Sequence, residues 1–198
     1  PGANPDSADT TEAEPTDWAE KQKTKPVDVS FKDYRHAEKA SQRLKEHPDW
    51  GKYIEESGRK YNIPVSTIVA FIAKESGFNP LSKCSGSSAR GLAQALDKTW
   101  ETYKDKTDYP NADRNNPKDS IEFMAWYCRY LITSVNKKID DEHRPQNHKL
   151  NGADVTNLYM AYNQGPTGYL LLRAYLDNRT TANFNAMRSF QKCVRGHS

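Results

Sequence analysis

Residues 61–100 read YNIPVSTIVAFIAKESGFNPLSKCSGSSARGLAQALDKTW, and the first half of this stretch carries one helix face. Val65, Ile68, Val69 and Ile72 keep the i, i+3, i+4, i+7 spacing of an apolar stripe. Glu75 stands seven residues after Ile68 and three after Ile72, which turns it toward the same side as the stripe and away from solvent. Gly77 and Pro80 end the helix, so Glu75 falls in its last turn. Burial and the partial negative charge of a helix C-terminus both disfavour a carboxylate there. Both raise its pKa, the condition a carboxylic acid needs to donate a proton near neutral pH. The loop that follows, Ser85 to Ser88, is small enough for a ligand to approach the backbone.

Upstream, Pro64 suits the first turn of this central helix. Trp50, Tyr53, Ile54 and Tyr61 mark a short amphipathic helix before it. Phe31 to His47 is a charged helical segment with a thin stripe of Phe31, Tyr34, Ala37 and Leu44, interrupted by Pro48. Residues 1–29 are rich in Pro, Asp, Glu, Thr and Ala and read as a disordered linker or tail in which Trp18 is an isolated aromatic.

Downstream, Asp97 to Lys106 reads as a helix and Tyr109 to Lys118 as a loop. Asp119 and Glu122 have capping-box spacing at the start of a long helix. Ile121, Met124, Cys128, Leu131, Ile132, Val135 and Ile139 form its buried stripe. Asp140 to Asn151 is a polar loop. Asp154 to Asn163 is the next helix, closed by Gly165 and Pro166; Tyr169 to Leu176 follows, and a last helix spans about Thr181 to Val194. No alternating strand pattern occurs. The expected fold class is all-α, one domain over residues 30–198 after the tail.

The chain has 198 residues, enough for one domain with a real core, and a net charge of +3. It lacks the concentrated basic face of a nucleic-acid binder and any apolar run long enough to span a membrane. It opens at Pro1 without a basic or apolar leader, so an export signal is not expected in this chain, which reads as a processed product or a piece of something longer. Cys84, Cys128 and Cys193 form no CxxC pair, which excludes a zinc ribbon. Buried thiols, or one disulfide plus one thiol, both fit this spacing, and Cys128 suits burial.

Three blocks in order resemble one family. Glu75-Ser76 with Asn79-Pro80, then Ala89-Arg90-Gly91-Leu92-Ala93-Gln94, then Ala161-Tyr162-Asn163-Gln164-Gly165 are similar to the soluble lytic transglycosylase catalytic domain of the lysozyme-like superfamily. The likeness covers about Trp50 to Leu172. It implies a mostly helical lysozyme-like domain with a cleft beside the glutamate. It also implies cleavage of the MurNAc–GlcNAc bond of peptidoglycan in the periplasm or outside the cell, with neither metal nor organic cofactor. The partners it implies are peptidoglycan glycan strands and, among proteins, a secretion, conjugation or phage-tail apparatus or a cognate inhibitor; no nucleic acid is expected.

In such enzymes the substrate's acetamido group assists at the sugar carbon. One carboxyl then serves as acid and base, and Glu75 is the residue that matches. The resemblance places Ser76, Ser85, Gln94, Tyr162 and Asn163 around the sugar. Ser85 aligns when counted back from Gly91, and Cys84 competes for its place. Gln94 offers a donor and an acceptor to an acetamido group, and Ala93, where relatives carry Met, widens the pocket. Tyr162 is expected to face the glutamate and the sugar, Asn163 to order the backbone at the turn. Trp100, Tyr103 and Tyr169 fit a sugar platform or the core equally. Asp97, three residues after Gln94, is either a helix N-cap or the water-holding base of a hydrolytic relative such as a goose-type lysozyme. The alternatives to a transglycosylase are thus a muramidase using Asp97 and an inactive glycan-binding module.

Overall fold

The structure is a computed structural model that describes residues 37–178. These residues lie in one compact unit. The tail over residues 1–29 with Trp18, the first residues of the Phe31–His47 segment, the helix expected over 181–194 and Cys193 lie outside the described residues.

Among the described residues six helices follow in order: α1 (Ala37–Glu46), α2 (Pro48–Tyr61), α3 (Val65–Ser76), α4 (Asp97–Thr107), α5 (Pro117–Asp141) and α6 (Val155–Asn178), with a 3-10 turn over Gln146–His148 before α6. Among the described residues there is no β-strand, only two antiparallel rungs in the loop after α3. The all-α expectation holds.

The long helix α5 is the axis. Its stripe, Ile121, Met124, Cys128, Leu131, Ile132, Val135 and Ile139, is buried as the spacing requires. Each such side chain contributes roughly 1.5–3 kcal/mol when fully buried. Helices α2 and α6 pack along α5, and α3 and α4 also pack against it. Arg129 of α5 ties the layers together: its Nε donates to Tyr61 O at 2.8 Å and its Nη2 to Asn62 O, meeting the unpaired carbonyls and the negative pole at the end of α2.

Local chemistry departs from the sequence reading at several ends. The cap of α5 is Asn116, whose Oδ1 accepts from Lys118 N and Asp119 N, with Pro117 at the first helical position. Asp119 is therefore inside the first turn, where its carboxylate accepts from Asp113 N at 3.0 Å. Glu122 does not reach back to a cap; it pairs with Lys60 Nζ at 2.6 Å and accepts from the Tyr61 hydroxyl at 3.0 Å. Pro64 sits one position outside α3, as the cap whose carbonyl accepts from Thr67 N and Ile68 N. Among the described side chains of α1 the buried one is Ala40, outside the expected stripe.

The 140–151 segment is not simply a solvated loop. His148 is buried at 4% exposure, its Nε2 lies 2.5 Å from Asp177 Oδ2, and its carbonyl accepts from the Tyr169 hydroxyl at 2.9 Å. Trp100 and Tyr103 belong to an aromatic core with Phe123 and Trp126, and Tyr169 is fully buried. None of these three forms an exposed platform. Cys128 is buried and forms no disulfide among the described residues. No helix among the described residues is long and apolar enough to cross a membrane.

Candidate active site

Helix α3 ends where the stripe and Gly77 require. Gly77 caps it in the left-handed conformation at φ 55°, its N–H donating to Ala73 O. Phe78 follows, also left-handed at φ 61°, and buries its ring. A bulky residue rarely holds that conformation. The two together turn the chain sharply at the foot of α3 and leave the Glu75 side chain facing a groove.

That groove is lined by residues of four helices and one loop. Lys74 and Glu75 come from α3, Thr99 from α4, Phe123 and Tyr127 from α5, and Tyr159, Tyr162 and Asn163 from α6. Ala89, Gln94, Ala95 and Leu96 supply the loop wall. Glu75 is the sole carboxylate among them.

Glu75 is 9% exposed, and its Oε1 has no hydrogen-bonding partner among the described residues. Burial pushes its pKa from 4.5 up to about 7, against two smaller influences, a hydrogen bond from Tyr159 and the Lys74 charge, that favour the anion. A carboxyl in this state is protonated in about half the molecules at neutral pH, so it can give or take a proton.

The loop wall is built around Gly91. Its φ is +77°, and an added Cβ would lie 1.9 Å from Arg114 O. No side chain fits there, which explains a glycine at the centre of the second sequence block. Gly91 N donates to Ser82 O, and Gln94 Nε2 donates to both Ser82 O and Gly91 O. Gln94 itself is left-handed at φ 48° and 8% exposed. With its amide nitrogen engaged, its Oε1 is a buried acceptor without a partner among the described residues. The expected donor-and-acceptor pair is therefore reduced to an acceptor.

Tyr162 lines the groove, but its hydroxyl donates to Ala93 O at 2.7 Å rather than to the glutamate. Burial first, and the nearby Glu75 charge second, hold this phenol well above its usual pKa, so it stays neutral. The hydroxyl that lowers the Glu75 pKa belongs to Tyr159, one turn earlier. Tyr159 escaped the sequence reading although it lies at i−3 from Tyr162 on the same helix face, which is the signal that could have found it. Its ring lies parallel to that of Tyr162, and both meet Phe71 edge-on. Lys74 and Tyr127 were likewise not anticipated at the groove. Lys74 Nζ stands 5.9 Å from the Tyr159 ring centroid.

The other expected residues divide. Asn163 lines the groove, and its Nδ2 donates to Tyr159 O at 2.9 Å, tying down the end of that helical half. Just beyond, α6 breaks at Gly165, φ 70° and ψ 174°, ahead of Pro166, where the sequence placed a helix end. Ser76 is turned back along α3, its hydroxyl donating to Ile72 O at 3.1 Å, and it does not line the groove. Ser85 is exposed on the loop and also does not line it. Ser87 and Ser88 brace the loop instead, their Oγ atoms accepting from Ala89 N and Asp97 N. Asp97 is not an N-cap: Leu96 holds that position. The Asp97 carboxylate lies outside the groove lining, is 65% exposed and pairs with Arg114 Nη1 at 2.7 Å. Arg114 also donates to Ser88 O and Ala95 O, which pins both ends of the loop.

The family model described as the transglycosylase SLT domain matches residues 24–189, most of the chain. A comparison with curated proteins finds no match.

Proposed function

The chain belongs to the transglycosylase SLT domain family, and from that premise we propose that it cleaves the β-1,4 bond between MurNAc and GlcNAc in peptidoglycan and leaves 1,6-anhydro-MurNAc ends, with Glu75 as the single acid and base. The family supports action on the cell wall in general terms; the site chemistry is our reading. We place its work in the periplasm or outside the cell.

In this reading Glu75 protonates the glycosidic oxygen as the bond from the sugar carbon breaks. The acetamido carbonyl of the substrate satisfies that carbon. The ionised Glu75 then takes the proton of the 6-hydroxyl, whose oxygen closes onto the same carbon. The proton lost in the first step is regained in the second, and no water enters. A pKa of about 7 serves both halves. Gln94 Oε1 is the acceptor for the acetamido N–H. Tyr159 holds the carboxyl in place, and Tyr162 holds the loop through Ala93.

The observation that supports this most is a groove with one carboxylate. A hydrolase of the standard two-carboxylate kind needs a second, and Asp97 faces Arg114 outside the groove lining. Mass spectrometry of digested sacculi tests the proposal. Anhydro ends are expected. Reducing ends would indicate hydrolysis, and binding without release of muropeptides would indicate a glycan-binding module.

A further inference from the structure

A second concavity, of about 480 Å³, lies against the loop that walls the groove. Four cations, Lys83, Arg90, Lys104 and Arg114, line it together with Glu101 and Asp113. Two of the cations are matched: Lys104 Nζ is 2.9 Å from Glu101, and Arg114 Nη1 is 2.7 Å from Asp97. No ion pair among the described residues uses Lys83, Arg90 or Asp113.

Backbone geometry holds the two unmatched cations together. Cys84 N donates to Ala89 O at 3.2 Å and Gly91 N to Ser82 O at 3.0 Å. Lys83 and Arg90 therefore oppose each other as the non-hydrogen-bonded pair of an antiparallel rung. Opposed residues send their side chains to one face, with Cβ atoms about 4.5–5.5 Å apart, and like charges in that position destabilise. Arg90 is half-buried, while Lys83 is exposed. Folding gains nothing from this pairing. A broken local rule beside a functional groove marks a place where a ligand supplies the missing charge.

We propose that this concavity binds the acidic stem peptide of the wall polymer, Lys83 and Arg90 taking its carboxylates and Asp113 its free ammonium. The inference rests on the reading of the chain as a peptidoglycan enzyme. Ala89 lines the groove and its chain neighbour Arg90 lines the concavity, so a glycan in the groove carries its peptide branches past the same loop. The ligand class follows from the charge pattern: paired cations fit carboxylates or phosphates, but the carboxylate of Asp113, whose Oδ1 accepts from Asn115 N and Nδ2 and which meets no cation among the described residues, repels a polyphosphate chain and suits a ligand that also carries a positive group.

Calorimetric titration with a sugar-free stem tetrapeptide that contains a diamino acid, and separately with inorganic phosphate, tests this. The wild-type protein is expected to bind the peptide with an affinity that falls as salt rises. Lys83→Ala/Arg90→Ala is expected to weaken it by about tenfold or more, since two charge-assisted contacts are lost. Phosphate is expected to bind about tenfold more weakly than the peptide, for want of the contact to Asp113. Circular dichroism checks that the variant is folded, and Lys83→Gln/Arg90→Gln repeats the comparison with longer side chains. No binding by wild type, equal affinity in the variants, or phosphate matching the peptide would each overturn the proposal. The readout is peptide binding, so it separates from cleavage: anhydro products without peptide binding refute this inference alone, and peptide binding with reducing-end products refutes only the cleavage chemistry.

Discussion

Tyr159 of α6 lines the groove beside Glu75 of α3, and hydrogen bonding from its hydroxyl lowers the carboxyl's pKa against the effect of burial. A donor to a carboxylate favours its ionised form. The free enzyme is active in this account with Glu75 protonated, so kcat/KM falls as pH rises through about 7. Tyr159→Phe removes the bond and leaves burial unopposed by it. The alkaline limb of the profile moves to higher pH by about one unit, the worth of one hydrogen bond to a charged group. A limb that stays in place would remove Tyr159 from the proton chemistry.

Glu75 also makes stability depend on pH. Its pKa is raised on folding from 4.5 to about 7, so between those values the folded protein holds a proton that the unfolded chain has lost. Stability from this group is therefore full below 4.5 and is lost as pH rises to 7, by roughly 3 kcal/mol. Glu75→Gln removes the penalty. The variant is expected to melt higher than wild type at pH 8, and the gain to vanish at pH 4. An equal difference at both pH values would contradict the burial argument.

Gly91 is expected to accept no other residue. In Gly91→Ala the methyl carbon falls 1.9 Å from Arg114 O, at a φ of +77° that already disfavours any side chain. Backbone must move on both sides of the loop wall, at a cost of about 3 kcal/mol or more. Urea denaturation measures this directly. A loss under about 1 kcal/mol, within the range of an ordinary surface change, would show that the loop yields easily.

Asp97 separates the two cleavage chemistries. Its exposed pair with Arg114 is worth about 0–1 kcal/mol, and Arg114 keeps its bonds to Ser88 O and Ala95 O without it. Asp97→Asn is expected to retain turnover within about threefold of wild type. A loss of a hundredfold or more would restore Asp97 as a general base.

The parts of the molecule legible in the sequence were those set by local periodicity. The stripes of α3 and α5 and the glycine after Ser76 specified which faces are buried and where α3 stops, and they turned Glu75 inward. The missed parts depend on distant partners. Asp97 has the composition of a cap, but Ser88 and Arg114, brought in by the loop, decide its surroundings. His148 sits in a polar run, yet Tyr169 and Asp177 of α6 bury it. Tyr162 was expected at the glutamate because the family block contains it; the block begins at Ala161, just after Tyr159, the tyrosine that acts on the carboxyl. Ser85 was placed by counting along a loop whose hydrogen-bonded serines are Ser87 and Ser88.

The most direct test of the central claim is the digestion of purified sacculi by Glu75→Gln beside wild type, with both proteins shown to be folded. Wild type is expected to release muropeptides with anhydro ends, and the variant to bind the sacculi and release none. Release by the variant at the wild-type rate would mean that another group carries the proton.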